Sequence, residues 1–134
     1  MNRNRRIENG EGARPSSALL SKRNKLPQRC PSSNIKVKTQ ENRTIHLTLQ
    51  FNPEQPLAPE GVFYASGFRS GSQLEFQMHD ACILISMLLQ HGYTPEEILQ
   101  RTSRLDLPNG EQGSGSHIGL VLSALITTEE GHPL

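Results

Sequence analysis

Residues 34–51 decide the fold, and they read NIKVKTQENRTIHLTLQF. Apolar side chains stand at every second position on both sides of a polar turn at residues 40–42, and they are Ile35, Val37, Ile45, Leu47, Leu49 and Phe51. Successive side chains of a strand point to opposite faces, so a period of two places all of them on one face of a β-hairpin. The stretch therefore predicts two antiparallel strands with one buried face.

A short third strand is expected after a loop. Residues 52–60 contain three prolines and predict an irregular connection. Residues 62–66 read VFYAS, which favours a strand, and Gly67 ends it.

A long helix is predicted next. Ser72 and Glu75 form a capping box, in which each side chain can bond a backbone N–H of the first turn. Apolar side chains then recur at helical spacing, and they are Leu74, Met78, Ala81, Cys82, Ile85, Leu88 and Leu89. We expect this stripe to be buried, so that Leu88 is a core residue and Gln90 a surface residue. Gly92 suits the left-handed position that ends a helix.

Two further helices complete the predicted fold. Thr94, Pro95 and Glu97 combine a capping box with a proline at the first helical position. Residues 106–116 predict a Gly/Ser-rich loop, and residues 117–127 predict a last helix. The order β-β-β-α-α-α predicts an α+β fold, in which three helices pack on one face of an antiparallel three-stranded sheet.

Charge is distributed unevenly along the chain, although the formal net charge is only +1. Residues 1–40 contain ten Lys and Arg against two Glu, whereas residues 41–134 contain four against eleven acids. Few apolar residues precede the first strand, so that segment cannot bury enough surface to fold alone. We predict a disordered basic arm at residues 1–33, a domain at residues 34–128 and a flexible tail at residues 129–134.

The basic arm makes nucleic-acid binding one candidate function. Its cations could contact phosphates, and the candidate residues are Arg3, Arg5, Arg6, Lys22, Arg23 and Lys25. The arm has no aromatic side chain for base stacking, so sequence-specific reading of single strands is not expected. The sheet face opposite the core is expected to be exposed to solvent or to contact a partner. Its side chains include Lys36, Lys38, His46 and Thr48. The alternative interpretation of the arm is a solvated tail.

The cysteine content and the lengths of the apolar runs predict where the protein is located. Cys30 and Cys82 are too few for a disulfide framework or a four-cysteine zinc site, so we expect reduced thiols and a cytoplasmic protein. The charged N-terminus lacks the apolar region of a signal peptide. The longest apolar run, at residues 81–89, is too short to span a bilayer, so no membrane partner is expected.

The sequence predicts no complete catalytic site. The five histidines form no H-E-x-x-H or H-x-x-E-H pattern, and no spacing supports a metal site. Cys82 lies on the predicted core stripe, where a thiol is inert. We therefore expect no enzymatic activity, no cofactor and no metal.

Two helix starts are the candidate anion- or ligand-binding sites. The first contains Arg69, Ser70, Gly71 and Ser72, and the second contains Ser114, Gly115, Ser116 and His117. At each, a Gly/Ser turn leads into a helix N-terminus, whose free N–H groups can bind an anion. The alternative interpretation of the second is a flexible loop with Ser116 as the N-cap, and the same kind of alternative, a turn without a ligand, applies to the first.

Several segments in order are similar to one known family. They are VFYASGFRSGS at residues 62–72, ACILISMLLQHG at residues 81–92, TPEEI at residues 94–98 and SHIG at residues 116–119. Together they resemble the TSCPD domain, which occurs near the C-terminus of adenosylcobalamin-dependent ribonucleotide reductases and in short stand-alone proteins. The resemblance covers residues 34–128.

The resemblance implies an accessory domain and not the reductase reaction. The cysteine of the family's naming motif is absent, and the cysteine that usually precedes it is absent too, because residues 103–106 read SRLD. The terminal redox cysteines of full reductases are also missing, and the radical-bearing barrel cannot fit in 134 residues. No catalytic residue is carried over.

Three functions follow as hypotheses. The first is a non-catalytic accessory or regulatory module that docks on a larger protein, for which the resemblance implies a link to nucleotide metabolism. The second is nucleic-acid binding through the basic arm. The third is a small-ligand or anion-binding domain that uses the helix starts at Ser72 and Ser116.

Overall fold

A computed structural model describes residues 22–129, and it shows an α+β fold. The strands are β1 (Ser32–Lys38), β2 (Thr44–Asn52), β3 (Gln55–Ser66), β4 (Arg104–Asp106) and β5 (Gln112–Ser114). The helices are α1 (Gln73–Gln90), α2 (Pro95–Leu99) and α3 (His117–Glu129). The predicted three-stranded antiparallel sheet, followed by helices, is confirmed.

The hairpin formed by β1 and β2 follows the predicted pattern. Ile35 pairs with Leu47 in the antiparallel register, and β2 lies between β1 and β3. Asn42 takes a left-handed φ of 66° in the connecting turn, which Asn tolerates better than most residues. The alternating side chains of β2 form the centre of the core, where Leu49 has no exposed surface.

The structure corrects the predicted loop at residues 52–60, because β3 already begins at Gln55. Pro59 pairs with Phe51, and the register shifts on both sides of Phe51. Proline lacks a backbone donor but is accepted on edge strands and at bulges, and β3 is an edge strand with such irregularities.

Helix α1 begins and ends where the sequence predicts. Ser72 accepts a hydrogen bond from Glu75 N, and Gly92 takes a left-handed φ of 99° after the helix. The predicted buried stripe is partly wrong, because Leu74 and Leu88 are 46% and 37% exposed while Gln90 is only 7% exposed.

The buried face of α1 differs from the predicted one because of where the helix packs. The helix contacts the sheet through β3. The Ser86 hydroxyl accepts from Val62 N at 2.9 Å and donates to Val62 O at 3.0 Å, and Gln90 Nε2 donates to Glu60 O at 3.1 Å. Polar side chains of α1 thus satisfy the outer edge of β3, so they are buried in place of Leu74 and Leu88.

Helix α3 covers the apolar face of the sheet and contacts both β1 and β3. Its side chains Val121, Leu122 and Leu125 are at most 1% exposed. Helix α2 packs against α3, and its Thr94–Glu97 capping box forms as predicted.

Residues 106–116, predicted as a loop, contain the second strand of a small hairpin formed by β4 and β5. Leu107 N donates to Glu111 O at 2.8 Å, and Gly110 N donates to Leu107 O at 2.9 Å. Each strand has only three residues, which is too short for a period of two to be recognised in the sequence.

The arm predicted at residues 1–33 is described only from Lys22 onward. Within this part, Arg23 Nε donates to Gln90 Oε1 at 2.7 Å and Asn24 N donates to Gln90 O at 2.9 Å. The chain then enters β1 at Ser32, close to the domain start predicted at residue 34. The remaining arm residues, including Arg3, Arg5 and Arg6, and the end of the predicted tail at residues 130–134 lie outside the described residues.

Within residues 22–129, none of the helices combines the length and the hydropathy needed to cross a membrane.

Candidate functional site

The predicted site at the start of α1 is occupied by a carboxylate of the same helix. Gly71 N donates to Glu75 Oε1 at 2.8 Å, and Ser72 N donates to Arg69 O at 3.1 Å. The carboxylate therefore already sits where the helix N-terminus would hold an anion. An external anion would have to displace the Glu75 side chain, while the neighbouring Arg69 and Ser70 are exposed.

The predicted site at the start of α3 opens onto a cleft. The cleft has a volume of about 190 Å³, and its lining includes Ser114, Gly115, Ser116 and His117. The β1–β2 turn contributes Gln40 and Glu41, and the first turns of α1 contribute Leu74, Gln77 and Met78. The structure thus brings the second predicted group together with two distant segments, but it does not bring Arg69, Ser70, Gly71 or Ser72 to this cleft.

Close packing positions the serines of this cleft. Ser116 Oγ accepts from Gly119 N at 3.2 Å and caps α3. A Cβ on Gly119 would approach the Ser114 Cβ to 2.8 Å, so only glycine fits here without movement. The Ser114 hydroxyl in turn lies 3.5 Å from the Ser123 hydroxyl. Both serine hydroxyls therefore have structural partners.

His117 and Glu41 form a hydrogen-bonded pair in the cleft. His117 Nε2 lies 3.3 Å from Glu41 Oε1. Hydrogen bonds from the side chains of His117 and Thr39 lower the pKa of the Glu41 carboxyl. The His117 ring also meets the Phe68 ring edge-on, with centroids 5.0 Å apart. Sequence reasoning missed Glu41, because it lies 76 positions from His117 and no local pattern connects them.

This arrangement is not a nucleophile with its base. Among the described residues, no hydrogen bond joins His117 to a serine or cysteine, and an adjacent base of this kind is what activates a serine nucleophile. The Glu41 carboxylate also disfavours an incoming anion by like-charge repulsion. No cluster of three or more His, Cys, Asp or Glu side chains that could hold a metal ion occurs in residues 22–129.

Cys82 lies in the core, as its place on the apolar stripe predicts. Burial raises the pKa of its thiol to about 12, so the thiol stays protonated at neutral pH. The thiol sulfur lies 3.9 Å from Met78 Sδ. Cys82 therefore cannot act as a nucleophile without a large rearrangement of the core.

The described surface has one apolar feature that the single-stripe interpretation of α1 missed. Five side chains on the outer side of this helix are 37% to 60% exposed, and they are Phe76, Ile83, Leu84, Met87 and Leu88. We call this set the outer α1 face. A helix with apolar side chains on both sides is typical of one that packs against two layers. The apolar residues outside the predicted stripe therefore already indicated a second contact surface in the sequence.

When the chain is compared with protein-family models, with curated proteins and with solved structures, it matches none of them.

Proposed function

We propose that this chain is a non-catalytic interaction module that docks on a larger protein, in line with its resemblance to the TSCPD domain. The outer α1 face is the observation that carries the proposal. A cytoplasmic location fits the buried, reduced Cys82 and forms part of the proposal.

The geometry of the outer α1 face suits a helical or flat apolar partner surface. Phe76, Ile83 and Met87 are spaced by seven and four residues, so they lie on one line along the helix. Leu84 and Leu88 lie next to this line, on one side of it. Each side chain is about half exposed, so covering it contributes roughly 1 kcal/mol to binding. Several exposed apolar side chains on one helix face mark an interaction site more often than scattered single residues do.

The candidate cleft favours the same interpretation over an enzyme. Ser116 caps α3 and Ser114 packs against Ser123, so neither serine hydroxyl is hydrogen-bonded to a base. A link of the partner to nucleotide metabolism is what the family resemblance implies, and identification of the partner tests it.

The test compares two variants that carry the same added charge. Ile83→Glu with Met87→Glu places two carboxylates on the outer α1 face, and Gln55→Glu with Asn109→Asp places two at exposed positions outside this face. Proteins captured by the tagged wild type are identified by mass spectrometry, and a purified candidate is then titrated by calorimetry.

We expect one partner to bind the wild type and the control with equal affinity and to lose binding to the Ile83/Met87 variant. Light scattering on the chain alone should report a monomer. Two results would contradict docking of a larger protein through this face. One is a dimer of the wild type that becomes a monomer in the Ile83/Met87 variant, and the other is a partner whose affinity is the same for the wild type and both variants.

Nucleic-acid binding is the second candidate, and one observation favours it. Strands β1 and β2 contain Lys36, Lys38 and His46 but no acidic residue. Against it, Arg23 is engaged with Gln90 in the described part of the arm. A titration with duplex DNA at two salt concentrations tests it, because log affinity falls with log salt by about 0.9 for each phosphate contacted. Binding that survives physiological salt and needs residues 1–25 would favour this function over the first.

A further inference from the structure

The free edge of β1 exposes backbone hydrogen-bonding groups. At one end of the strand Phe51 N donates to Pro31 O, and at the other end Thr39 N donates to Arg43 O. Because hydrogen-bonding direction alternates along an antiparallel strand, odd-numbered residues of β1 face β2 and even-numbered residues face outward.

The outward groups belong to Asn34, Lys36 and Lys38, which are all exposed. Among residues 22–129, no hydrogen bond reaches the backbone N–H or C=O of these three residues. They form an unpaired strand edge, which is a template for a further strand.

A groove runs along this edge with room for an extended chain. Its volume is about 670 Å³, and α3 forms its opposite wall. The wall consists of Leu120 and four smaller side chains, and these are Ser123, Ala124, Thr127 and Thr128. Thr127 and Thr128 bond their hydroxyls to α3 carbonyls, so they do not project into the groove as free donors. Half-buried Ile35 and Val37 give the groove an apolar floor.

The charged side chains of β1 are both positive. Lys36 and Lys38 point to the face opposite the core, where Lys36 pairs with His46 and Lys38 with Thr44 of β2. Neither strand contains an acidic residue, so nothing within them neutralises the two lysines. Like charges directly opposite each other destabilise a strand pair, and opposite charges stabilise it.

We propose that the β1 edge binds an extended acidic peptide segment of a partner protein by strand addition. Alternate residues of the peptide are acidic and lie beside Lys36 and Lys38. The residues between them are small and apolar, and they face Ile35, Val37 and α3. This surface is separate from the outer α1 face, so the proposal stands even if docking through α1 fails.

Two other occupants fit the edge less well. A second copy of the chain that paired β1 with β1 in antiparallel fashion would bring lysines against lysines, which the edge charges oppose. A single-stranded nucleic acid would match the charge but not the edge, because it has no backbone amides to pair in register. The edge hydrogen bonds therefore distinguish a peptide from other polyanions.

The experiment uses the full chain and the fluorescently labelled peptide Thr-Glu-Val-Glu-Val-Glu-Val-Glu-Thr. Binding is measured by anisotropy for the wild type, for Lys36→Glu with Lys38→Glu, and for Arg101→Glu with Arg104→Glu as a control with the same charge change at exposed positions. We expect the lysine reversal to weaken binding by about tenfold and the control to change it less than about twofold. The same peptide with Lys in place of Glu should bind the reversed variant better than the wild type.

A second readout separates strand addition from simple charge attraction. On binding, hydrogen exchange at the amides of Asn34, Lys36 and Lys38 should slow at least about tenfold, since these amides become bonded. An oligonucleotide of equal charge that binds as tightly with the same lysine dependence, or peptide binding without protection of these amides, would overturn the proposal. The Ile83→Glu with Met87→Glu variant should bind the peptide normally, so failure of the α1 proposal is distinguished from failure of this one.

Discussion

The two edges of the sheet differ in how their backbone groups are satisfied. At the β3 edge, Ser86 and Gln90 of α1 bond the outward groups of Val62 and Glu60. At the β1 edge, a groove separates the strand from α3. Both edges belong to one small sheet, so the difference comes from which helix side chains reach the strand. An edge closed by side chains belongs to the core, whereas an open edge remains available to a partner.

Proline substitutions along β1 test the direction of its hydrogen bonds and should give the largest effect. Val37 N faces β2, so Val37→Pro loses a ladder bond and should lower the free energy of unfolding by about 4 kcal/mol. Lys36 N faces outward, so Lys36→Pro should cost only about 1 kcal/mol. Urea denaturation measures both, and equal losses would show that the two sides of β1 are assigned wrongly.

Removal of the Ser86 hydroxyl tests the closed edge. Ser86→Ala leaves the N–H and C=O of Val62 without partners in a buried place, and we expect a loss of about 3 kcal/mol. Asn34→Ala on the open edge removes only an exposed bond to Thr48 and should change stability by less than about 0.5 kcal/mol. A small effect of Ser86→Ala would mean that water replaces the hydroxyl and that the β3 edge is not closed.

Gln90 connects the closed edge to residues 22–24, and its loss should have a smaller effect. Gln90→Ala removes bonds to Glu60 O and from Arg23 Nε, so we expect about 1.5 kcal/mol. Gln73→Ala, at an exposed position of the same helix, is the control and should be nearly neutral. A double-mutant cycle with Arg23→Ala should show coupling, and additive effects would argue that Arg23 does not contact Gln90 in solution.

The Glu41–His117 pair joins the β1–β2 turn to α3, and it should have the smallest effect. The folded pKa of Glu41 is lowered from 4.5, so its stabilisation is complete above pH 4.5 and is lost as the pH falls through the folded pKa. The stability difference between the wild type and Glu41→Gln should therefore shrink below pH 4.5. The difference should also become smaller in a His117→Ala background, where only the Thr39 and backbone bonds to Glu41 remain, and an unchanged difference there would exclude His117 as a cause.

The sequence predicts the sheet and the helix ends well because local chemistry determines them. Period-two alternation identifies β1 and β2, and the capping residues Ser72 and Thr94 begin α1 and α2 as expected. The burial of Gln90 and the exposure of Leu88 could not be predicted, since an apolar stripe does not reveal that a helix packs against a strand edge. That choice depends on hydrogen bonds between residues far apart in sequence.

The candidate site is predictable only in part for the same reason. The residues Ser114 to His117 do line a cleft, as their position before α3 suggested. Their partners Gln40 and Glu41 come from the opposite end of the domain sequence, and Gln40 Nε2 donates to Ser114 O at 2.9 Å. The carboxylate at the start of α1 was visible in the capping box, but its consequence for anion binding required the bond from Gly71 N.

Native-state hydrogen exchange of the free chain tests the difference between the two edges most directly. We predict that the amide of Val62, bonded to Ser86, and those of Ile35 and Val37, bonded within the sheet, exchange slowly. The amides of Lys36 and Lys38 should exchange nearly as fast as in an unstructured peptide. Protection of Lys36 and Lys38 equal to that of Val62 would contradict an open β1 edge and, with it, the peptide site assigned there.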